Sequence, residues 1–427
     1  MRGNSLYLRN FIGGQFVDAA SSARIDIIDP SSEMVFASSP DSGAEDVERA
    51  VRAAAAALTG WSQTTQAVRN AVLLCVADVI EAHAQQLLES EVRNTGKPTE
   101  TTRHTEVLRS ADQLRGIVSK TGVDVSMLGH SPTDPSALAN QAPRHVVTSV
   151  VPWTYPLMLA VARIGPALAA GNTIVLKPSE LTPTSLWVFA KLLAEIVPPG
   201  VVNVIFGGAE TERALLKRAH TATVTLAGKS AAIVFEDVDI EWVSTELANS
   251  GYFNAGQDAA AASRILVDAR IHDEFLRQLV SVATDTVTGG SHDPMTFYGP
   301  LISAEHRERI QKLIAELPAH AVVETGGYPV GTRGFYFAPT VISGVQQDDD
   351  IVQAEALGPV ITVQRFDTEE GAVALANGAA SRGVASIWTD DDARSTRVAG
   401  DLDFGLVWVN THRVAASDTT DDGPLDL

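Results

Sequence analysis

Apolar residues recur along this chain at two spacings. From about Ala44 to Ala57, and again from about Thr65 to Asn94, they return every three or four positions (Val72, Leu73, Val76, Val79, Ile80, Leu87, Leu88), as on a helix buried along one face. Asp41-Ser42-Gly43 offers caps to the first helix, and Thr95-Gly96 stops the second. Cys75 lies among the apolar positions of the second helix and reads as a buried core cysteine in preference to a reactive thiol. Residues 7–40 break into short apolar runs separated by Gly13-Gly14, Asp29-Pro30 and Ser39-Pro40, the pattern of short strands and turns. A helix is expected near Glu106 to Ser119, and a polar, turn-rich loop over 121–145.

From Val146 onward the pattern alternates regularly. Val146 to Val151 reads as a strand, Leu157 to Ala170 as a helix closed by Gly171-Asn172, and Thr173 to Leu176 as a short buried strand. Thr182 to Val197 reads as the next helix and Val201 to Phe206 as the next strand. This strand–helix order predicts an α/β fold with a doubly wound parallel sheet, Rossmann-like, whose ligands sit at the carboxyl ends of strands. Lys177 and Glu180 fall at such an end. The alternation resumes after Glu210 to Ala219 and Thr221 to Leu226. Strands are expected at Ala231 to Phe235, Arg264 to Val267, near Val322 and Thr340, at Val360 to Arg365, Ala385 to Trp388 and Leu406 to Val409. Helices are expected between them. The pattern therefore divides the chain into two α/β domains, 1–227 and 228–410. An acidic, unpatterned tail, 411–427, follows.

Composition narrows the choice of partner. Asp and Glu number 52 against 32 Lys and Arg, a net charge of -20 that repels a phosphate backbone, so nucleic acid is not expected. No run of 18 apolar residues marks a membrane span. The N-terminus shows no secretory pattern, and the single cysteine excludes an internal disulfide framework, so the cytoplasm is the expected compartment. The ten histidines show no HExxH or paired spacing, so no metal site is expected.

Several short segments carry chemistry. Lys177-Pro178-Ser179-Glu180 reads either as a grip on two ribose hydroxyls or as two charges ahead of a helix. Gly228-Lys229-Ser230 is not a P-loop: Thr223 stands where the first glycine belongs, and a strand follows instead of a helix. Phe253-Asn254-Ala255-Gly256-Gln257-Asp258-Ala259 is a glycine-containing turn of small residues, able to bring backbone N–H groups close to a ligand.

Taken together these segments resemble the aldehyde dehydrogenase superfamily, closest to its aminoaldehyde and betaine-aldehyde branch, from about Phe11 to His412. The turn at 253–259 is similar to Phe-Asn-x-Gly-Gln-x-Cys, which implies that Ala259 stands where the family carries its nucleophilic cysteine. Pro152-Trp153-Thr154-Tyr155-Pro156-Leu157 resembles Pro-Trp-Asn-x-Pro-Leu, placing Thr154 where an asparagine donates to the oxyanion and Trp153 on the cofactor side. Thr225-Leu226-Ala227-Gly228-Lys229 resembles Glu-Leu-Gly-Gly-Lys, placing Thr225 where the general base belongs. Asn172-Thr173 through Glu180 resembles the segment holding the adenosine ribose, so Lys177 and Glu180 imply NAD rather than NADP, since a 2′-phosphate would meet negative charge. Glu355-Ala356-Leu357-Gly358-Pro359 resembles Glu-x-Phe-Gly-Pro, assigning Glu355 to the nicotinamide ribose.

The departures from the family pattern lie at the nucleophile, the oxyanion donor and the base. The glycine turn for the cofactor pyrophosphate is also missing, with Gly207-Gly208 a weak substitute. The resemblance thus implies an NAD-dependent fold acting on small aldehydes but catalytically impaired, with a nucleotide-binding type domain over 1–227, a partial oligomerisation segment near 121–147 within it, and a catalytic-type domain over 228–410. A working aminoaldehyde dehydrogenase and a non-catalytic binding protein are the alternatives. The family's last subunit-bridging strand is not seen, so a weakened homo-oligomer is expected.

Overall fold

A computed structural model describes residues 6–121, 144–218, 222–223, 228–380 and 383–412. The chain forms two compact units. The first takes in Met1–Asp29, Met34–Thr95 and Thr99–Val224, and the second takes in Pro30–Glu33, Gly96–Pro98 and Thr225–Leu427.

In the first unit a six-stranded sheet runs, edge to edge, through Gln15–Val17, Asn10–Ile12, Val202–Val204, Thr173–Pro178, Val146–Val151 and Ala222–Thr223. The last four are mutually parallel. Val146–Val151 lies between Thr173–Pro178 and Ala222–Thr223: the chain steps outward from it to Thr173–Pro178 and Val202–Val204, then crosses back to its other side at Ala222–Thr223. In such sheets the carboxyl ends of the strands beside a reversal of strand order are the usual ligand position. Thr173–Pro178 is buried along its whole length, as the apolar run Ile174-Val175-Leu176 required, with Lys177 buried beside it. A three-stranded sheet, Leu6–Tyr7, Met34–Pro40 and Arg24–Asp29, completes the N-terminal strands.

Two helical expectations are corrected. The segment read as one helix from Thr65 to Asn94 is two, Gln66–Ala82 and Ala84–Thr95, bent by 72°. The chain turns at His83, whose backbone leaves the helical region (φ -112, ψ 20). Leu73, Val76 and Ile80 on one side of the bend, and Leu87 and Leu88 on the other, reach the same core. Periodicity reports which side faces inward and is blind to a bend that keeps that side inward. Cys75 is exposed, not buried. Leu73, Val76, Ala77 and Ile80 define the buried stripe of its helix, and Cys75 falls outside it with Ala71, Leu74 and Asp78. Among the described residues no single helix is long and apolar enough to cross a membrane; the bent pair has the composition but packs into the core.

Capping differs from expectation at one place. Helix Ala44–Ser62 begins at Gly43, whose N–H donates to Asp46 Oδ2, 3.3 Å away. Asp41 and Ser42 are engaged elsewhere, Asp41 with Gly208 and Ser42 with Asn10.

The second unit is a seven-stranded sheet ordered Val322–Thr325, Thr340–Ser343, Val360–Phe366, Arg264–Asp268, Ala231–Val234, Ala385–Trp388 and Val407–Val409. All neighbours are parallel except the first pair. Helices Ile240–Tyr252 and His272–Asp285 cover it with Val243, Leu247, Phe275 and Leu279, all buried. Asp239 caps the first of these by accepting from Trp242 N–H. The oligomerisation segment proposed near 121–147 falls largely outside the described residues, as do Thr225 and the tail beyond His412.

Candidate active site

Two groups of predicted residues gather, one in each unit. In the first unit the carboxyl ends of Val146–Val151 and Thr173–Pro178 lie in register, Val151 beside Pro178. The turns that follow are tied together where Ser179 N–H donates to Val151 O at 2.8 Å. Trp153 and Thr154 occupy the first turn, both half-buried. That turn enters helix Pro156–Ala169, whose Leu157 N–H donates to the buried Glu91 carboxylate at 3.1 Å. The carboxylate satisfies one of the unpaired donors of the helix N-terminus.

Lys177 begins the second turn. Its side chain is 1% exposed, and its Nζ donates to Glu180 Oε2 at 3.1 Å and to Glu212 Oε2 at 3.4 Å. A buried ammonium without such partners would cost several kcal/mol, so the pair of charges is not a solvated helix start. Glu212, on helix Ala209–Leu216, was not singled out from the sequence. It lies in an ordinary charged helical run, and nothing local marks it as facing a strand end 35 residues away.

Gly207-Gly208 does not form an open anion cradle. A Cβ on Gly207 would collide with the Thr211 side chain, which fills that space. The Gly208 N–H already donates to Asp41 Oδ1 at 3.1 Å. Phosphate would find a taken donor and a carboxylate there.

In the second unit helix Ile240–Tyr252 runs into an unusual turn. Asn254 (φ 51, ψ 36), Ala255 (φ 57, ψ 32) and Gly256 (φ 66) are three consecutive left-handed residues. Such a conformation costs L-residues about 1–2 kcal/mol each. Only glycine serves at 256, because a Cβ there would collide with the Gly358 carbonyl. The turn is closed by reciprocal bonds: Asn254 Nδ2 donates to Gln257 O at 3.0 Å, and Gln257 Nε2 donates to Asn254 O at 2.9 Å. Gln257 Oε1 also accepts from Ile302 N–H at 2.9 Å. Backbone strain held by surrounding bonds is typical of functional loops.

The next three residues are fixed through their backbone. Asp258 Oδ1 accepts from Ala260 N–H at 2.8 Å. The Ala259 carbonyl accepts from Ser230 Oγ at 2.8 Å, and Ser230 Oγ in turn accepts from Val384 N–H. The Ala260 carbonyl accepts from His412 Nε2 at 2.7 Å. The tautomer of His412 follows from its neighbours. Trp388 Nε1 can only donate, and it donates to Ser386 Oγ at 2.9 Å. The Ser386 hydroxyl proton therefore points to His412 Nδ1, 2.7 Å away, which leaves the ring proton on Nε2. Burial holds this imidazole down at about 4, against the carbonyl of Ala260, which pulls it up. Ser386 and His412 stand 26 residues apart, a spacing no sequence pattern connects.

Glu355 adjoins this loop. Its segment carries Gly358, which packs on Gly256, and is gripped by Arg309, whose Nη1 donates to Glu355 O at 3.1 Å. His306 Nε2 meets Leu357 O at 2.6 Å. Burial raises the Glu355 carboxyl above the usual range, opposed by the Gly228 N–H and by Lys229 and Arg309. Lys229 is fully buried, with Nζ on Ile351 O at 3.0 Å. Burial first, then Arg264, brings its amine down to about 7.

The structure thus brings Trp153, Thr154, Lys177 and Glu180 to one pair of strand ends, and Ala259 and Glu355 to one loop cluster. At Ala259 the arrangement offers a methyl group and no nucleophile. No cluster of metal-ligating side chains occurs among the described residues.

The chain matches the aldehyde dehydrogenase family over residues 16–228 and 217–423. It is 35% identical to 2-aminomuconic semialdehyde dehydrogenase of Danio rerio, over 95% of this chain and 90% of that protein. It is 34% identical to betaine aldehyde dehydrogenase of Bacillus subtilis, over 94% and 89%. Among solved structures, the NAD+ complex of an aldehyde dehydrogenase from Bacillus cereus superposes with a TM-score of 0.88 at 30% identity, covering 95% of this chain and 89% of that one. A point mutant of betaine aldehyde dehydrogenase of Staphylococcus aureus, solved with NAD+ and a BME-modified cysteine, gives 0.85 at 31% identity, over 96% and 90%. The alignment with the Danio rerio protein spans 447 positions, more than the 427 residues of this chain, so that relative carries segments this chain lacks.

Proposed function

The chain belongs to the aldehyde dehydrogenase family, and on that premise we propose that it is an NAD-binding member that has lost thiol-based aldehyde oxidation. Two domains divide the work, a nucleotide-binding part over 1–227 and a catalytic-type part over 228–410. Lys177 and Glu180 hold the adenosine ribose: the buried ammonium donates to hydroxyl oxygens, and the carboxylate, 40% exposed, accepts hydroxyl protons. Trp153 borders the cofactor from the neighbouring turn, and Glu355 takes the nicotinamide ribose. The donor set suits a ribose diol. Bound NAD supplies a hydride acceptor.

The family's chemistry begins when a thiolate adds to the aldehyde carbonyl. Ala259 has no group that adds, so no thiohemiacetal forms. Thr154 can donate one hydrogen bond to an oxyanion, from a shorter side chain than asparagine. Thr225, at the position of the general base, carries no carboxylate. The observation that carries this reading is the loop itself. Its left-handed turn and its bonds from Gln257, Ser230 and His412 hold position 259 with an alanine in place. The wild-type loop therefore presents the aldehyde site without attacking it.

Calorimetric titration with NAD, followed by an NADH absorbance assay with betaine aldehyde and 2-aminomuconic semialdehyde, tests the proposal. Saturable NAD binding without NADH formation is expected. Steady NADH formation that scales with the amount of wild-type protein would sink the loss of thiol chemistry, and absence of NAD binding would sink the nucleotide assignment.

A further inference from the structure

Glu212 faces the same buried ammonium as Glu180, from a different element. Helix Ala209–Leu216 is fastened at its start: Gly208 N–H donates to Asp41, and the Thr211 hydroxyl donates to the Ser42 carbonyl. Glu212 N–H then donates to Gly208 O at 3.1 Å, so its backbone position is set one residue beyond the anchored Thr211. The carboxylate reaches Lys177 Nζ at 3.4 Å while 40% of the side chain remains exposed. Glu180 meets the same Nζ at 3.1 Å and is equally exposed. Neither Oε1 atom accepts a hydrogen bond from a described residue. One cation and two carboxylates leave this strand end with a net negative charge and two open acceptors.

We propose that Glu212 is a specificity-determining residue, a second carboxylate that reads the ribose 2′ position and excludes 2′-phosphorylated nucleotides. The inference rests on the assignment of Lys177 and Glu180 to the adenosine ribose. A 2′-hydroxyl donates its proton to either open carboxylate oxygen. A 2′-phosphate brings about two negative charges and no donor. It faces two carboxylates here, with one ammonium already shared between them. The carboxylates stand on separate elements, so removing one leaves the other in place, and because both pair with Lys177 their effects are coupled.

The test is calorimetric binding of NAD, NADP, 5′-AMP and 2′-AMP to the wild-type chain, Glu180→Gln, Glu212→Gln and the double variant. Glutamine keeps the volume and an oxygen for Lys177. Glu212→Gln is expected to raise NADP affinity relative to NAD about tenfold, or about 1.4 kcal/mol, with a further gain in the double variant. Added salt is expected to narrow the NAD preference of the unmodified chain, because both carboxylates are solvent-accessible; this arm needs no variant to fold. If Glu180→Gln relaxes the preference while Glu212→Gln leaves it within about twofold of wild type, Glu212 is only an ion-pair partner of Lys177 and the proposal falls. If none of the four nucleotides binds any of the proteins, the ribose assignment falls with it.

Discussion

The strand ends around Lys177 and the loop around Ala259 are built on opposite principles. At Lys177 the functional groups are themselves the structure. The ammonium can be buried only because Glu180 and Glu212 compensate it, so the side chains that would recognise a ribose also hold the turn. At Ala259 the structure stands without the functional group. The carbonyls of Ala259 and Ala260 are held by Ser230 and His412, and the preceding turn by Asn254 and Gln257. None of these bonds uses the side chain at 259. Chemistry can therefore leave the loop without unfolding it, whereas it cannot leave the strand end so cheaply.

The largest effect expected from this contrast is a gain. Ala259→Cys should convert an inert loop into a reactive one, detected as stoichiometric modification of the variant by iodoacetamide beyond that of the exposed Cys75. NADH formation with betaine aldehyde should become measurable. Turnover should remain limited, because a missing oxyanion donor costs about 10²–10³ in rate. Thr154→Asn added to Ala259→Cys should recover much of that factor. An Ala259→Cys protein whose new thiol is as unreactive as a core cysteine would show that the loop is not poised.

Gly256→Ala should separate the halves in the opposite sense. The new methyl meets the Gly358 carbonyl, and alanine is strained at φ 66. Strain of about 1–2 kcal/mol and overpacking of about 1–3 kcal/mol together predict a loss of about 3–4 kcal/mol in denaturant unfolding. Nucleotide affinity at Lys177, which belongs to the other unit, should be unchanged in the folded protein. Equal losses in stability and nucleotide affinity would mean that the two regions are coupled.

How much of this could be read from the chain follows the same division. The alternation of buried strands and helices from Val146 to Val409 was legible because each element buries a continuous apolar run or stripe. Lys177 and Glu180 were legible because they share one turn, three residues apart. Glu212 was not, since what joins it to them is the packing of one helix against the end of one strand. The Trp388–Ser386–His412 chain was hidden for a similar reason: it links a strand to the segment after the next strand, and its polar residues sit among unremarkable neighbours. The bend at His83 and the exposure of Cys75 escaped because an apolar period fixes neither the direction of a helix axis nor the far side of its stripe.

Acid should weaken the loop side. His306 and His412 are both held down at about 4, chiefly by burial. In the unfolded chain their rings titrate near 6.5. Between these values the unfolded state binds more protons, so stability is complete above about pH 6.5 and declines toward pH 4. The buried His306 alone should be worth about 3 kcal/mol, and the half-buried His412 adds less than that. Denaturant midpoints measured across this range should fall with uptake of one to two protons on unfolding, by the linkage slope. A flat profile would mean that neither ring is neutral for the reason given.

The smallest expected effect isolates one hydroxyl behind the loop. Ser386→Ala removes the hydroxyl that accepts from Trp388 Nε1 and donates to His412 Nδ1. Two buried polar atoms lose their partner, for about 2 kcal/mol. With Nδ1 freed, the ring is no longer bound to carry its proton on Nε2, and its grip on the Ala260 carbonyl loosens. In the Ala259→Cys background this should slow thiol modification several-fold without changing nucleotide affinity. Ser386→Thr, which keeps the hydroxyl, should restore the modification rate. If Ser386→Ala lowers stability but leaves the thiol as reactive as before, the carbonyl of Ala260 does not need His412, and Ser230 with the left-handed turn is enough to hold the loop.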